Sequence, residues 1–321
     1  MEHFTSAPIN THESGTLPIF PELSDRKMGG VPAQRGDSRG ERTLNRLKTY
    51  VSFIKLEHTV FSLPLIFAGA LLHTRGWPDA RLLELILLAA IGGRVMAMGL
   101  NRLIDAAIDA RNPRTQRREL PRGAMQRGEA WAIVGVAGAL YLAAAAAIAP
   151  ICLQLSPIPV ALFVIYPYLK RFTALSHLGL GLAWSMAPLG GWLAASRSLE
   201  PFGEIVWLWV FSILWVAGFD IIYATMDEAF DREAGIHSLP ARLGKQPALR
   251  IAAGVHLLAF VSLIALWRTH GFSNWALPWL AATGALLVWQ HLVAEEHPEF
   301  AFFQLNGVIG FSVLGFVIGG H

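Results

Sequence analysis

Long apolar segments separated by short polar loops dominate the chain from residue 51 onward. A helix needs about 20 mostly apolar residues to cross the hydrocarbon core of a bilayer. The segments that meet this need are residues 51–72, 82–104, 129–149, 152–168, 175–195, 204–224, 249–267, 274–293 and 301–319. The pattern therefore predicts an all-α, polytopic membrane protein with about nine transmembrane helices.

The first 45 residues have a different character, with several prolines and glycines, scattered charge and no apolar period. Such composition is typical of disorder, so we expect a disordered tail over residues 1–45 and a transmembrane domain over residues 46–321. No charged stretch leads into a short apolar run in the tail, and we expect no cleavable signal peptide. The single cysteine, Cys152, can form no internal disulfide and belongs to no metal or redox motif.

Composition and charge agree with a membrane location: 54% of the residues are hydrophobic and 15% charged, and the mean hydropathy is +0.44. Of the 26 lysines and arginines, twenty lie in the N-terminal segment through Lys55 or in or directly beside the even-numbered loops. By the positive-inside rule, we expect the N-terminus and those loops on the cytoplasmic side of a bacterial inner membrane. The isoelectric point near 9.2 reflects this bias, so no nucleic-acid partner is expected.

Polar side chains interrupt two predicted spans near their cytoplasmic ends, where ionisable groups are costly and usually functional. Steps of four and seven residues keep side chains on one helix face. One face of the second span carries Arg94, Asn101, Asp105 and Asp109. One stripe of the sixth span carries Asp220, Tyr223 or Ala224, Asp227 and Asp231.

The two clusters also match each other at a fixed offset of 122 residues. The matching pairs are Asn101 and Tyr223, Asp105 and Asp227, and Asp109 and Asp231. This is a weak internal duplication, which membrane proteins often use to build a site between two related halves. We therefore expect the two helices to face each other across one cavity.

Carboxylates so close together repel one another unless a cation binds between them. Mg²⁺ prefers oxygen ligands and is typically held by one or two carboxylates together with substrate phosphates. The two clusters thus indicate two Mg²⁺ sites with a diphosphate between them. The cations that could complete a clamp on this anion are Lys170, Arg171, Arg102 and Arg111.

An apolar bundle behind a diphosphate site suits a long isoprenoid diphosphate whose tail lies among the helices. Metal and cations stabilise the charge that develops on the departing diphosphate. An electron-rich aromatic ring would then attack the allylic carbon in a cavity that excludes water. The rival hypothesis is an ion-coupled secondary transporter that uses the aspartates as cation sites, but such sites usually lie near the bilayer midplane on interrupted helices.

Three segments resemble motifs of the UbiA-type membrane prenyltransferases. "NRLIDAAIDARNPRTQRRELPRG" resembles their Asn-x-x-x-Asp-x-x-x-Asp motif, "YPYLKRFT" their Tyr-Pro-x-x-Lys-Arg segment, and "DIIYATMDEAFDREAGIHSLPARLG" their second Asp-rich motif. The resemblance covers about residues 46–320. It implies nine transmembrane helices around a central cavity that is open to lipid.

The resemblance also implies roles for individual residues. The Mg²⁺-diphosphate would be bound by Asn101, Asp105, Asp109, Asp227 and Asp231. Lys170, Arg171 and Tyr223 would contact the diphosphate or shape the site. Asp220 would orient the second motif. Arg94, on the face that bears the metal site, is either a salt-bridge partner of the aspartates or a substrate ligand.

The loop after the first motif indicates which branch of the family this chain resembles. Enzymes acting on 4-hydroxybenzoate usually carry Arg-Thr-x-x-Arg-Pro there, whereas this chain has "RTQRRELP" at 114–121. That loop, the second Asp-rich motif and "KLEHTVFSLP" at 55–64 look more like the bacterial enzymes assigned to menaquinone synthesis by the futalosine route. We expect a quinone-pathway polyprenyltransferase whose partners are a polyprenyl diphosphate, a small aromatic acceptor and the lipid bilayer, with 4-hydroxybenzoate as the second choice of acceptor.

Two further sets of residues have simpler interpretations. Glu57 and His58 would face lipid headgroups or contact the acceptor. Glycines within the predicted spans are expected where helices pack closely. They are Gly92, Gly93, Gly179, Gly181, Gly190 and Gly191.

Overall fold

Helices are the only regular elements in residues 39–54 and 59–321, the part of the chain that the computed structural model describes. The α-helices are α1 (Arg39–Ile54), α2 (Thr59–Thr74), α3 (Ala80–Asp109), α4 (Arg127–Ile148), α5 (Pro150–Leu155), α6 (Pro157–Leu169), α7 (Ser176–Ser196), α8 (Val206–Ala224), α9 (Glu228–Ala234), α10 (Leu239–Leu243), α11 (Lys245–His270), α12 (Leu277–Val293), α13 (Pro298–Phe300) and α14 (Asn306–Gly320). The all-α prediction is confirmed.

The membrane-spanning segments agree with the predicted ones. Eight described segments are long and apolar enough to cross a membrane: Ala80–Asp109, Arg127–Ile148, Pro150–Leu169, Ser176–Ser196, Val206–Ala234, Lys245–His270, Asn274–Val293 and Pro298–Gly320. A shorter apolar helix, Ser62–Thr74, corresponds to the first predicted span. The expected count of about nine is therefore approximately right, and the chain is a multi-pass integral membrane protein.

Some predicted features lie outside the described residues. These are most of the predicted tail over residues 1–45, and Glu57 and His58. The disordered tail therefore stays a prediction.

The helices pack in pairs around a common core within residues 44–321. α3 packs on α4, α2 on α7, and α8 on both α7 and α11, while α14 contacts α2 and α12. Large side chains such as Trp215 and Phe211 are fully buried between them. Apolar side chains elsewhere point outward: Leu292 is 76% and Leu257 63% exposed. An apolar outer surface over a packed interior is what a lipid-embedded bundle requires.

Glycine sets the closest approach between α2 and α7. A Cβ added at Gly191 would lie 2.0 Å from the carbonyl oxygen of Ile66, and one added at Gly69 would lie 2.0 Å from that of Pro188. No side chain fits there, so the two backbones contact each other directly. The predicted close-packing role is confirmed for Gly191. It is wrong for Gly190, whose added Cβ would have no atom within 4 Å because that face of α7 is open.

A π-helical turn over Ala301–Leu305 precedes α14. Turns of this kind leave backbone carbonyls without their usual partners and often occur at functional sites. Here Gln290 donates to the Ala301 carbonyl oxygen at 2.8 Å and to Asn306 Oδ1 at 2.9 Å. The turn directs Phe302 against Tyr223, with ring centroids 4.2 Å apart.

Candidate active site

The two Asp-rich segments line one cavity of about 670 Å³. The predicted site residues that line it are Arg94, Asn101, Arg102, Asp105, Asp109, Lys170, Asp220, Tyr223, Asp227 and Asp231. The expectation that the two helices face one cavity is confirmed. Arg171 is not part of this lining; it reaches the site from behind Asp105.

The first motif occupies the last turns of α3, which runs without interruption to Asp109. Asp105 is 3% exposed and its Oδ2 accepts hydrogen bonds from Lys170 at 2.6 Å and from Asn101 at 3.1 Å. Its Oδ1 is buried without a hydrogen-bond partner among the described residues. Arg171 lies 3.9 Å from that oxygen and donates to the Ile104 carbonyl oxygen at 2.9 Å. Asp105 is thus a buried carboxylate with one oxygen still available for a ligand.

The loop after α3 folds back over the cavity and supplies cations to both motifs. Arg118 NH1 contacts both carboxylate oxygens of Asp109, at 2.8 and 2.9 Å. Arg114 binds Asp227 through Nε at 2.9 Å and through NH2, and it donates to the Tyr223 hydroxyl at 2.5 Å. Burial alone would lower the pKa of Arg114, but these hydrogen bonds outweigh it and raise the pKa. The loop therefore joins the two motifs into one charge-balanced site.

The second motif departs from the single helical stripe that periodicity predicts. α8 ends at Ala224, a 3₁₀ turn spans Thr225–Asp227, and α9 then carries Asp231. α9 ends at Ala234 and is capped by Gly235, whose φ of +70° allows the sharp turn that follows. The turn brings the Ile236 amide to the Asp231 carbonyl oxygen, at 2.8 Å.

The loop after α9 is also fixed to the first half of the site. The His237 amide donates to the Lys170 carbonyl oxygen at 2.7 Å. The backbone that follows the second motif and the lysine that contacts Asp105 are therefore held together. His237 contributes through its backbone in this contact.

Arg102, predicted to bind the diphosphate, has a different partner. Its NH1 donates to Glu119 Oε2 at 2.8 Å, and Ser52 donates to Glu119 Oε1 at 2.6 Å. Arg102 is 5% and Glu119 4% exposed. Burial raises the pKa of Glu119, but the hydrogen bonds from Ser52 and the backbone and the charge of Arg102 outweigh it and hold the pKa below its usual value. This pair anchors the loop over the cavity.

Arg94 lies deeper in α3, where a second, mostly apolar cavity of about 410 Å³ meets the first. Both cavities are lined by Arg94, Met98, Tyr166, Leu180 and Trp184. The Arg94 guanidinium lies 5.2 Å from the centroid of the Trp184 ring, and its buried Nε has no hydrogen-bond partner among the described residues. Among the described residues, no carboxylate forms an ion pair with Arg94. The structure therefore does not support the predicted role of Arg94 as a salt-bridge partner of the aspartates.

Sequence reasoning missed several residues of the site. Arg114, Arg118 and Asn112 bind the aspartates directly, at 2.8–2.9 Å in the contacts Arg118 to Asp109 and Asn112 to Asp227. Arg117 is exposed and lines the cavity, and no partner is found for it among the described residues. The high density of arginines directly after the first motif is the sequence feature that could have identified these residues. It indicated membrane orientation, and the same charges also serve the site.

The aspartates of the cavity mostly pair with lysine or arginine side chains and do not converge on a single metal position. Among the described residues, no group of three or more His, Cys, Asp and Glu side chains has the arrangement of a metal site. Mg²⁺ commonly takes only one or two carboxylates and completes its shell with water and phosphate oxygens. The buried free oxygen of Asp105 fits a donor of that kind. The chain thus offers part of a coordination shell that a diphosphate would complete.

Comparison with known proteins identifies the family. The sequence model of the UbiA prenyltransferase family matches residues 62–305. The chain belongs to the UbiA prenyltransferase family. The expectation of a prenyltransferase enzyme is thereby confirmed, and the secondary transporter is set aside.

Relatives and solved structures agree with this membership. The 4-hydroxybenzoate octaprenyltransferase of Vibrio atlanticus is 30% identical over 278 residues, covering 84% of this chain and 95% of that protein. The enzyme of the same name from Shewanella woodyi is 27% identical over 275 residues, covering 84% and 95%. The apo structure of a UbiA homolog from Aeropyrum pernix K1 has a TM-score of 0.74 at 36% identity, covering 80% of this chain and 95% of that one.

A more distant structure shares the UbiA fold. The UbiA homolog from Archaeoglobus fulgidus, bound to GPP and Mg²⁺, is 18% identical with a TM-score of 0.64, covering 85% of this chain and 100% of that one. At that identity the likeness concerns the fold.

Proposed function

We propose that this UbiA-family enzyme transfers a polyprenyl group from a polyprenyl diphosphate to a small aromatic acceptor that carries both a hydroxyl and a carboxylate, in respiratory quinone synthesis. The observation that carries the proposal is the pair of joined cavities. One is lined by aspartates and cations, and the other is apolar. Arg94, which has no carboxylate partner among the described residues, lines both. Relatives named 4-hydroxybenzoate octaprenyltransferase support the same chemistry.

The diphosphate would bind at the carboxylate and arginine end of the cavity. Asp105, Asp109, Asp227 and Asp231 would hold divalent cations; the UbiA homolog from Archaeoglobus fulgidus is bound to Mg²⁺ together with GPP. A bound divalent cation would neutralise the charge that develops on the leaving diphosphate. Lys170, Arg114 and Arg118 would turn from aspartates to phosphate oxygens. Arg117, which lines the cavity, would join them.

The prenyl chain would extend from this end into the apolar cavity of about 410 Å³. That volume is too small for a whole octaprenyl chain, since each buried atom needs its own close-packed space. The remainder would leave the bundle sideways into lipid. The dry walls would also protect the developing allylic cation from water.

The acceptor would lie at the junction of the cavities, where Arg94 and Trp184 meet. A guanidinium without a protein carboxylate inside a membrane bundle is costly, and an acceptor carboxylate would satisfy it with paired hydrogen bonds. The Trp184 ring beside it offers a flat apolar surface to the aromatic ring. Both 4-hydroxybenzoate and a dihydroxynaphthoate of the futalosine route have the required carboxylate.

The comparisons support prenyl transfer but give no support to the futalosine route over 4-hydroxybenzoate. We keep the menaquinone branch as a proposal because of the loop "RTQRRELP", in which Glu119 forms the buried pair with Arg102. We likewise propose that the N-terminus and the Asp-rich loops face the cytoplasm of a bacterial cell, on the distribution of lysines and arginines.

The test is a membrane-based transfer assay with a labelled polyprenyl diphosphate, offered in parallel with 4-hydroxybenzoate and with a dihydroxynaphthoate, in Mg²⁺ or in EDTA. Mg²⁺-dependent product from one acceptor alone would identify the branch. The variant Arg94→Met should raise the acceptor KM about 10-fold or more, as loss of a hydrogen-bonded charge contact costs 1.5–3 kcal/mol, while the KM for the diphosphate stays the same. Absence of product from both acceptors would overturn the proposal.

A further inference from the structure

A buried histidine and an aspartate form a pair that the proposed binding roles leave unused. His177, near the start of α7, is 4% exposed, and its Nδ1 lies 2.6 Å from Asp220 Oδ2 in α8. Its Nε2 accepts a hydrogen bond from the Leu239 amide at 3.2 Å. In a neutral imidazole one nitrogen donates and the other accepts, so the amide contact makes Nδ1 the donor to Asp220. Both ring nitrogens are therefore committed, and the ring fixes the orientation of the carboxylate.

Asp220 differs from Asp105, Asp109 and Asp227 in its partners. Asp109 and Asp227 have both carboxylate oxygens bonded to arginine, and Asp105 is bonded to Lys170. Asp220 has no lysine or arginine partner in the described chain, and its second oxygen has no hydrogen bond there. Asp220 nevertheless lines the cavity. It is thus an oriented carboxylate with one oxygen open to a substrate.

The position of Asp220 matches the acceptor end of the cavity rather than the diphosphate end. It precedes Asp227 by seven residues, or roughly 10 Å along the helix axis. Tyr166, Trp184 and Arg94 line the same cavity. A carboxylate about two turns deeper than Asp227, in the cavity that Arg94 also lines, would face the ring of a bound acceptor instead of the phosphates.

We propose that Asp220 is the proton acceptor of the transfer reaction and that His177 is its positioning residue; the inference rests on the function proposed above. The attacking ring carbon forms a bond to the allylic carbon as the allylic C–O bond breaks, and the diphosphate leaves with that electron pair. The ring is then a cation that still holds the hydrogen of the attacked carbon. That C–H bond breaks, its electrons restore the aromatic ring, and the proton passes to the open oxygen of Asp220. It is returned to water when the product leaves.

The other groups of the cavity serve this step less well. The lysine and arginines are already protonated and can only donate. Asp109 and Asp227 have no open oxygen, and Asp105 and Asp231 are proposed above as metal ligands, so a bound cation would occupy their oxygens. General base catalysis of this kind contributes about 10²- to 10⁴-fold, so loss of Asp220 should slow transfer by at least about 100-fold.

The experiment measures single-turnover product formation with an acceptor that carries hydrogen or deuterium at the attacked ring carbon. The variants are Asp220→Asn, which keeps the shape but cannot take a proton, and His177→Gln. The matched control is Asp79→Asn at the far end of α3, where asparagine preserves the cap on the Leu82 amide. Mg²⁺-dependent binding of the prenyl diphosphate reports folding in each variant.

Wild type and Asp79→Asn should show an isotope effect near unity, because proton removal follows the slow bond-making step. Asp220→Asn should bind diphosphate normally, turn over at least about 100-fold more slowly and show a clear isotope effect, with His177→Gln intermediate. The inference would be overturned if Asp220→Asn is slow but shows no isotope effect, or if Asp220→Asn keeps wild-type activity. In either case the proposed function would still stand. Absence of product from the wild type with every hydroxyaryl carboxylate would overturn both. If Asp220→Asn does not bind diphosphate, the isotope effect in His177→Gln decides, and unity there overturns the inference.

Discussion

The buried pair between Arg102 and Glu119 should contribute to stability rather than to diphosphate binding. Replacing Glu119 by leucine would leave the guanidinium charged, 5% exposed and without its 2.8 Å partner. Breaking a buried ion pair from one side costs about 3–5 kcal/mol, because the remaining charge is desolvated and unpaired. The same principle predicts that a double replacement by apolar residues of similar size recovers most of the loss.

The assay is thermal unfolding of the detergent-solubilised protein, followed by tryptophan fluorescence. Glu119→Leu should lower Tm by about 6 °C or more, at roughly 2 °C per kcal/mol for a protein of this size. The double variant Arg102→Met/Glu119→Leu should unfold near the wild-type temperature and keep the wild-type affinity for a prenyl diphosphate. A double variant as unstable as the single one would refute the desolvation argument. Loss of diphosphate affinity in a stable double variant would instead restore the direct role that the sequence suggested for Arg102.

Two further predictions concern packing and pH. Gly191→Ala should destabilise the protein by about 1–3 kcal/mol, because the added methyl group would overlap the Ile66 carbonyl where α2 and α7 meet. The control Gly190→Ala, one residue away in open space, should leave Tm unchanged. Equal effects of the two substitutions on Tm would contradict this packing role of Gly191. The pKa of Glu119 is lower in the folded protein than its ordinary value of 4.5, so its stabilisation is fully present above about pH 4.5 and is lost as the pH falls through the folded pKa. The Tm profiles of wild type and the single variant Glu119→Leu should therefore converge on acidification, and parallel profiles would count against the pair.

The sequence predicted the helices and the faces of the first motif well because both depend on local periodicity. Arg94, Asn101, Asp105 and Asp109 recur at near-whole turns of one continuous helix, and all line the cavity. The fixed offset to the second cluster predicted correctly that Asp227 and Asp231 would join them. Apolar segment lengths likewise predicted most span ends within five residues. The exceptions are the first span, predicted over 51–72 where the apolar helix covers Ser62–Thr74, and the sixth, predicted to end at 224 where the segment continues to Ala234.

The errors arose where contacts depend on residues far apart in the chain. The contact between Arg114 and Asp227 joins residues 113 positions apart, and no local pattern specifies it. The partner of Arg102 comes from the following loop, so its place beside the aspartates in sequence suggested a role that its side chain does not support. The 3₁₀ turn at Thr225–Asp227 also breaks the stripe without any glycine or proline to mark it. Burial and pairing of charges were therefore the features that required the structure.

The central claim is that the two Asp-rich segments bind one metal-diphosphate together. The most direct measurement is equilibrium binding of a labelled, non-reactive polyprenyl thiolodiphosphate to wild type, Asp105→Asn and Asp227→Asn, in Mg²⁺ and in EDTA. We expect Mg²⁺-dependent binding that either substitution abolishes, in proteins that keep the wild-type Tm. Binding that is independent of Mg²⁺, or that survives loss of either aspartate, would contradict it.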